Sequence, residues 1–247
     1  MKQDAFDKVF AEVQSVLVIM PHPDDTELYC GGTIARLISK GIEVICIKMT
    51  NGGKGTKQTS ISEHELTQVR AKHDKSAAIT LGIKPENNIQ LNIPDGNLEL
   101  DIATIKKLAY YFRKFRPDML ITCNPEDTII RFGEESNWVN HRDHRHTAQL
   151  AIDAAYPYSR DTAFFPDQLS QVKSEYKPTT LFLLADYYDH PDLVYIDITD
   201  FIDTKAAAWR CHETAYSPEQ VDDSIEYLNQ DAETSRYFET FRFVVAD

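Results

Sequence analysis

The sequence predicts an α/β fold, on three observations. Short apolar runs rich in β-branched residues alternate with stretches whose apolar residues recur at helical spacing. The first run, Val16 to Met20, is apolar at every position and stops at Pro21, as a parallel strand buried on both faces would. The 247 residues are enough for one large α/β domain with a full core.

Taken in order, Phe6, Val9, Phe10 and Val13 predict a short amphipathic helix ahead of the first strand. After the strand, Leu28, Thr33, Ile34, Leu37 and Ile38 recur at helical spacing, with Asp25 or Thr26 as N-cap and Gly31 and Gly32 allowing close approach to the sheet. Glu43 to Met49 reads as the second strand and runs into Thr50-Asn51-Gly52-Gly53-Lys54-Gly55. That Gly-rich loop lacks the Walker spacing and does not follow the first strand, so it is read as a pocket wall or a flexible turn, not a nucleotide site. Glu63 to Leu81 is a predicted helix opened by a capping box, Ser62 with Glu65. Asn88 to Ile93 is a strand that ends in the turn Pro94-Asp95-Gly96. Ile102 to Phe115 is a helix that stops before Pro117, and Met119 to Thr122 is a further buried strand.

Thr128 to Val139 reads as a longer irregular stretch carrying Arg131 and Trp138, a candidate substrate wall; Trp138 could equally pack the loop down. The apolar residues from Ala148 to Ala155 predict a helix ended by Tyr156-Pro157. Thr179 to Leu184 and Leu193 to Ile198 are expected to be strands, and Lys205 to His212 a helix. There is no internal repeat, linker or low-complexity segment, and the whole of 1–247 is expected to form a single domain.

With 26 basic and 39 acidic residues the net charge is −13, which argues against nucleic acid or an anionic membrane as partner. Cys30, Cys46, Cys123 and Cys211 form no CxxC pair, and three lie in apolar stretches, as reduced buried thiols do. The first residues carry no apolar signal core and no run reaches membrane-spanning length, so an integral membrane segment is not expected and a cytoplasmic location is. Oligomeric state is left open, a homo-oligomer included.

Two motifs carry chemistry. His22-Pro23-Asp24-Asp25 sits where the first strand meets its helix, the end of an open α/β sheet at which ligands bind. His22 and Asp25, three residues apart in a turn stiffened by Pro23, can converge on a divalent ion such as Zn²⁺. Asp24 lies between them and could face the same cavity as a general base. The alternative for these four residues alone is a turn whose aspartates merely cap the helix. The second motif, Asn140-His141-Arg142-Asp143-His144-Arg145-His146-Thr147, opens a helix and can supply a third ligand, His144, and a second histidine, His141, oriented by Asp143. Three ligands and an open position mark a catalytic zinc site.

PHPDDTELYCGGTIA followed by HRDHRHTA resembles the PIG-L/LmbE-like N-acetylglucosaminyl deacetylases. The resemblance covers most of the chain. It implies a Rossmann-like, mostly parallel sheet with helices on both faces, and a zinc amidase acting on a small-molecule N-acetyl sugar or glycoconjugate. Metal ligands would be His22, Asp25 and His144, with Fe²⁺ suiting the same set as well as Zn²⁺. Asp24 would be the base, and a protonated His141, oriented by Asp143, would stabilise the oxyanion. Arg70 and Asp95 would contact substrate. His73 departs from the family pattern, which more often has an acid there, and Tyr29 stands where small residues are usual. A histidine near His190 or His212 can reach the site in the family. Readings left open are an amidase on a thiol-sugar conjugate, a metal phosphoesterase and a catalytically silent sugar-binding module.

Overall fold

A computed structural model describes residues 2–56, 60–131, 136–172 and 177–246. In chain order its elements are α1 (Phe6–Phe10), β1 (Ser15–Met20), α2 (Asp25–Ser39), β2 (Glu43–Thr50), α3 (Glu63–Leu81), β3 (Asn88–Ile93), α4 (Ile102–Phe115), β4 (Met119–Thr122), β5 (Ile129–Arg131), β6 (Asn137–Val139), α5 (Arg142–Asp153), β7 (Leu181–Leu184), β8 (Leu193–Asp197), α6 (Ile202–Trp209), α7 (Pro218–Asn229) and β9 (Phe238–Val245). The predicted bounds of α3, β3, α4 and β4 match, because each is closed by local chemistry. Ser62 and Glu65 form the capping box of α3, and Gly82 ends that helix in the left-handed conformation at φ 85°.

Seven strands form one sheet in the order β3-β2-β1-β4-β7-β9-β8. The first five run parallel, and β9 lies antiparallel between β7 and β8. The α/β, mostly parallel architecture is as expected. The chain builds outward from β1 to β2 and β3, then returns to β4 on the other side. The switch point, where open sheets leave a crevice, therefore lies between β1 and β4.

Strand side chains alternate between two cores. Val16, Val18 and Met20 pack with Val44, Cys46 and Ile121 beneath α1, α2 and α3. Leu17 and Ile19 pack with Ile45, Ile47 and Leu120 beneath Leu108 and Phe112 of α4 and Leu150 of α5. Helices thus cover both faces, and β1 is apolar from Val16 to Met20, the residues buried between them. All four cysteines are free, and three are buried; burial pushes the Cys46 thiol up to about 12.

Three features differ from the sequence expectation. The stretch read as irregular from Thr128 to Val139 contains an antiparallel pair, Ile129 facing Val139 and Ile130 facing Trp138. Two elements near the end of the chain, α7 and β9, were not predicted, although Ser217 and Gln220 form a second capping box. The third is a break in α2. Cys30 adopts φ −143°, outside the helical range. Past this break the amides of Gly32 and Thr33 donate to Glu239 of β9 at 2.9 and 2.7 Å. Lys205 of α6 neutralises that carboxylate at 2.7 Å and also donates to the Leu28 carbonyl at 2.7 Å. A side chain at Gly32 would put its Cβ 2.7 Å from Ile198, so glycine is needed for this approach.

The Lys205–Glu239 pair is fully buried, so removing one partner strands the other's charge. Glu239→Ala is expected to cost about 3–5 kcal/mol in denaturant unfolding. A midpoint equal to the parent's would remove Glu239 as the group holding the broken helix.

Candidate active site

The carboxyl ends of β1, β2, β3 and β7 and the first turn of α5 meet at one end of the sheet. Past Pro21, the His22 amide donates to Asp25 Oδ2 at 2.9 Å, and the same oxygen lies 2.9 Å from His22 Nδ1. Asp24 occupies the N-cap position of α2 but makes no capping hydrogen bond. The capping explanation of these two aspartates therefore does not describe how their carboxylates are used.

His144 brings Nε2 within 3.4 Å of Asp25 Oδ2, while its Nδ1 lies 3.6 Å from Asp186 Oδ2 and 3.3 Å from the Tyr29 hydroxyl. His22 is arranged alike: Nδ1 faces Asp25, and Nε2 lies 3.4 Å from Asp95 and 3.5 Å from Asp143. Each imidazole thus turns one nitrogen to Asp25 and the other to an orienting carboxylate, the arrangement in which histidines ligate metals. A divalent ion bonded at about 2.0–2.1 Å spaces its ligand atoms by about 3.0–3.4 Å, and the separations from Asp25 Oδ2 are 2.9 and 3.4 Å. The donor set fits an ion. Among the described residues, ring nitrogens of His22, His141 and His144 also lie within 4.8 Å of one another; two further groups, Cys123-His144-Asp186 and His22-Asp95-Asp143, share those histidines.

Electrostatics point the same way. Burial pushes the His22 imidazole towards its neutral form, but Asp25, Asp143 and Asp95 outweigh it and raise its pKa well above the usual value. For His144 burial is likewise outweighed, by Asp25 and Asp186. Against burial, the two histidines hold the Asp25 carboxyl well below the carboxylate range. A carboxylate surplus that draws protons onto two buried rings draws a divalent cation equally well.

His141 and Asp143 come to this site in different relations from those expected. The Asp143 carboxylate is buried, accepting from the Gly96 amide at 2.8 Å and facing His22 at 3.5 Å. It is the Asp143 backbone N–H that donates to His141 Nδ1, at 3.2 Å. This hydrogen bond leaves the proton of the ring on Nε2. Burial and the neighbouring His22 and His144 lower the His141 pKa, which favours the neutral ring over the imidazolium expected from sequence.

Arg70 and Asp95 line the same cavity. Arg70 Nη2 pairs with Asp24 at 2.6 Å, and Nη1 donates to the Gly52 carbonyl at 3.1 Å. The Gly-rich loop is shaped around this guanidinium: a Cβ at Gly55 would fall 1.7 Å from Nη1, and Gly52 holds φ +61°. The loop is a pocket wall. Asp95 is buried, and besides facing His22 it accepts from the Lys54 amide at 3.0 Å. His73 does not support Arg70; its ring lies near His212, 6.5 Å between centroids. His212 Nε2 sits 3.1 Å from Glu27, and His190 lies beside Tyr187, so neither lines the cavity.

The cavity, about 500 Å³, is also walled by Trp138, Asp186 and Tyr216. Asp186 and Tyr216 were not singled out from sequence. For Asp186 a signal existed, an acid two residues beyond a buried strand; the structure adds a φ of 67°, a conformation few side chains adopt. Among the described residues, no helix is long and apolar enough to cross a membrane.

A family model described as PIG-L: GlcNAc-PI de-N-acetylase matches residues 17–155, from β1 through α5, the span that carries both histidine motifs. The chain belongs to the PIG-L family. Diacetylchitobiose deacetylase of Thermococcus kodakarensis is 32% identical over 246 residues, covering 95% of this chain and 85% of its own. The structure of N,N'-diacetylchitobiose deacetylase from Pyrococcus horikoshii, complexed with its inhibitor MPG, matches at a TM-score of 0.80 and 31% identity, over 97% of this chain and 87% of that one. GalB, the 4-carboxy-2-hydroxymuconate hydratase of Pseudomonas putida, matches at 0.75 with 18% identity, over 95% and 97% of the two chains. The fold is thus shared beyond one chemistry, and the site must decide. PIG-L deacetylases are metal-dependent hydrolases of amide bonds, and this chain is an enzyme of that class.

Asp25→Ala and His144→Ala should each lose bound metal by elemental analysis. Asp186→Ala should weaken metal affinity about 10–100-fold in a chelator competition. Full metal retention in the first two would move the ligand set elsewhere in the cluster.

Proposed function

We propose that the enzyme hydrolyses the acetamide of an N-acetylated amino sugar or its conjugate, with Zn²⁺ held by His22, Asp25 and His144. The observation that carries this reading is the state of Asp24. It neither caps its helix nor joins the three-ligand cluster, yet it lines the cavity one residue from Asp25 with Arg70 holding one oxygen. Bound there, the ion would supply Lewis acidity, polarising a carbonyl and acidifying a water. Asp24 takes the proton of the attacking water and returns it to the amine as the amide C–N bond breaks, so that acetate and free amine leave. His141, neutral and with its proton on Nε2, donates to the carbonyl oxygen as negative charge develops there. Arg70 fixes the direction of the Asp24 carboxylate, and Asp95, Asp143 and Asp186 keep the ligating rings in one orientation. The relatives that deacetylate diacetylchitobiose support an amino-sugar substrate. The four free thiols suit a reducing compartment, and a cytoplasmic setting belongs to the same reading.

The test is acetate release from N-acetylglucosamine and its glycosides, before and after chelation and Zn²⁺ restoration; silence with metal bound would sink the proposal. Asp24→Asn should keep its metal and lose about 10²–10⁴ in turnover, and a near-normal rate would remove Asp24 as base. His141→Ala should lower turnover about 10²–10³-fold with metal retained.

A further inference from the structure

Behind the catalytic cluster, on the side of His144 away from Asp25, the ends of three strands bring a second set of donors to the ring. Cys123 is the first residue after β4 and Met20 the last of β1, and the thiol donates to Met20 Sδ at 3.8 Å. β7 ends level with β4, the Ala185 amide donating to the Thr122 carbonyl at 2.8 Å, so Asp186 falls close to Cys123. Cys123 Sγ, a ring nitrogen of His144 and a carboxylate oxygen of Asp186 lie within 4.8 Å of one another. Asp186 Oδ2 is buried without a hydrogen-bond partner among the described residues and lies 3.6 Å from His144 Nδ1. Cys123 and Met20 are fully buried, whereas His144 and Asp186 line the catalytic cavity, which thus reaches this set from its His144 side.

The donors are softer than those proposed for the catalytic ion. Zn²⁺ takes thiolate, imidazole and carboxylate; thiolate beside thioether selects Cu⁺. A tetrahedral ion bonded to sulfur at about 2.3 Å spaces its sulfur ligands by about 3.8 Å, and the two sulfurs here are 3.8 Å apart. The thiol is not a nucleophile, because burial and the charges of Asp186 and Asp25 push it well up. A cation offsets those charges and takes the place of the thiol proton.

We infer that Met20, Cys123 and His144 Nδ1, beside the carboxylate of Asp186, form a site for a soft cation, Cu⁺, and that this ion competes with the catalytic ion for His144. The competition rests on the ligand assignment proposed above. On binding, the Cys123 S–H bond breaks, its proton leaves to solvent and an S–Cu bond forms, with no change of oxidation state. The His144 proton sits on Nδ1 when Nε2 holds Zn²⁺ and on Nε2 when Nδ1 holds Cu⁺. One ring therefore serves one ion at a time.

The test is anaerobic titration of Cu⁺ into Zn²⁺-loaded and metal-free protein carrying Cys211→Ser, which removes the one thiol that is not buried. Thiolate-to-copper absorption in the ultraviolet should saturate at a single equivalent in both, and elemental analysis of the loaded protein should show Zn²⁺ leaving as copper enters. Adding Cys123→Ser should abolish the absorption and keep Zn²⁺ in place. Met20→Leu, which conserves core volume, should keep the fold and weaken Cu⁺ in a chelator competition; an affinity equal to the parent's overturns the sulfur pair. Absorption missing from the parent, or undiminished by Cys123→Ser, overturns the site. Absorption with all Zn²⁺ retained overturns the competition. None of these readouts uses substrate, so a failure of the hydrolase reading, seen as no acetate release, is told apart from a failure of this one, and the metal-free arm decides the site whatever ligands hold Zn²⁺.

Discussion

One carboxylate oxygen, Asp25 Oδ2, stands between two imidazoles, and the surrounding structure serves to keep it there. A buried carboxylate is costly unless its charge is answered. Here the answer comes from His22 on the same turn and His144 from a helix more than a hundred residues later. Those rings are aimed in turn by Asp95, Asp143 and Asp186, each delivered by a different part of the chain. The result is a concentration of negative charge at the switch point of the sheet, stable only with positive charge at its centre.

Asp24, the neighbour of that oxygen, has a different fate because of a cation. Arg70 reaches it from α3 through a channel that Gly52 and Gly55 leave open, and draws the carboxylate away from the helix end it would otherwise cap. Adjacent aspartates in one turn thereby acquire separate partners, and the roles proposed for them, ligand and base, follow that division. The same guanidinium is neutralised in the process.

Beneath the site lie further buried pairs, Lys48 with Asp74 at 3.0 Å and Lys205 with Glu239 at 2.7 Å. Such pairs add little net stability, but breaking one is expensive, so they restrict which arrangements the chain can adopt. Glu239 shows the consequence: it ties the broken middle of α2 to β9 and α6, and so fixes where the start of α2, with Asp24 and Asp25, can sit.

What neighbours in the chain decide could be read from the sequence alone. The apolar run of β1, the capping box and terminal glycine of α3, the proline stop after α4 and both histidine motifs depend on groups a few residues apart, and the expected α/β fold and the cluster of His22, Asp25, His141 and His144 follow from them. Tertiary structure decided the rest. β9 inserts between β7 and β8, a pairing of segments tens of residues apart that no local period announces. Asp143 follows His141 closely in sequence yet orients His22, because the first turn of α5 points its carboxylate to Gly96 and across the site. Asp186 and Tyr216 belong to the cavity only because β7 and the turn after α6 end there. Spacing along the chain records which groups a turn can gather; which carboxylate meets which ring is set by long-range packing.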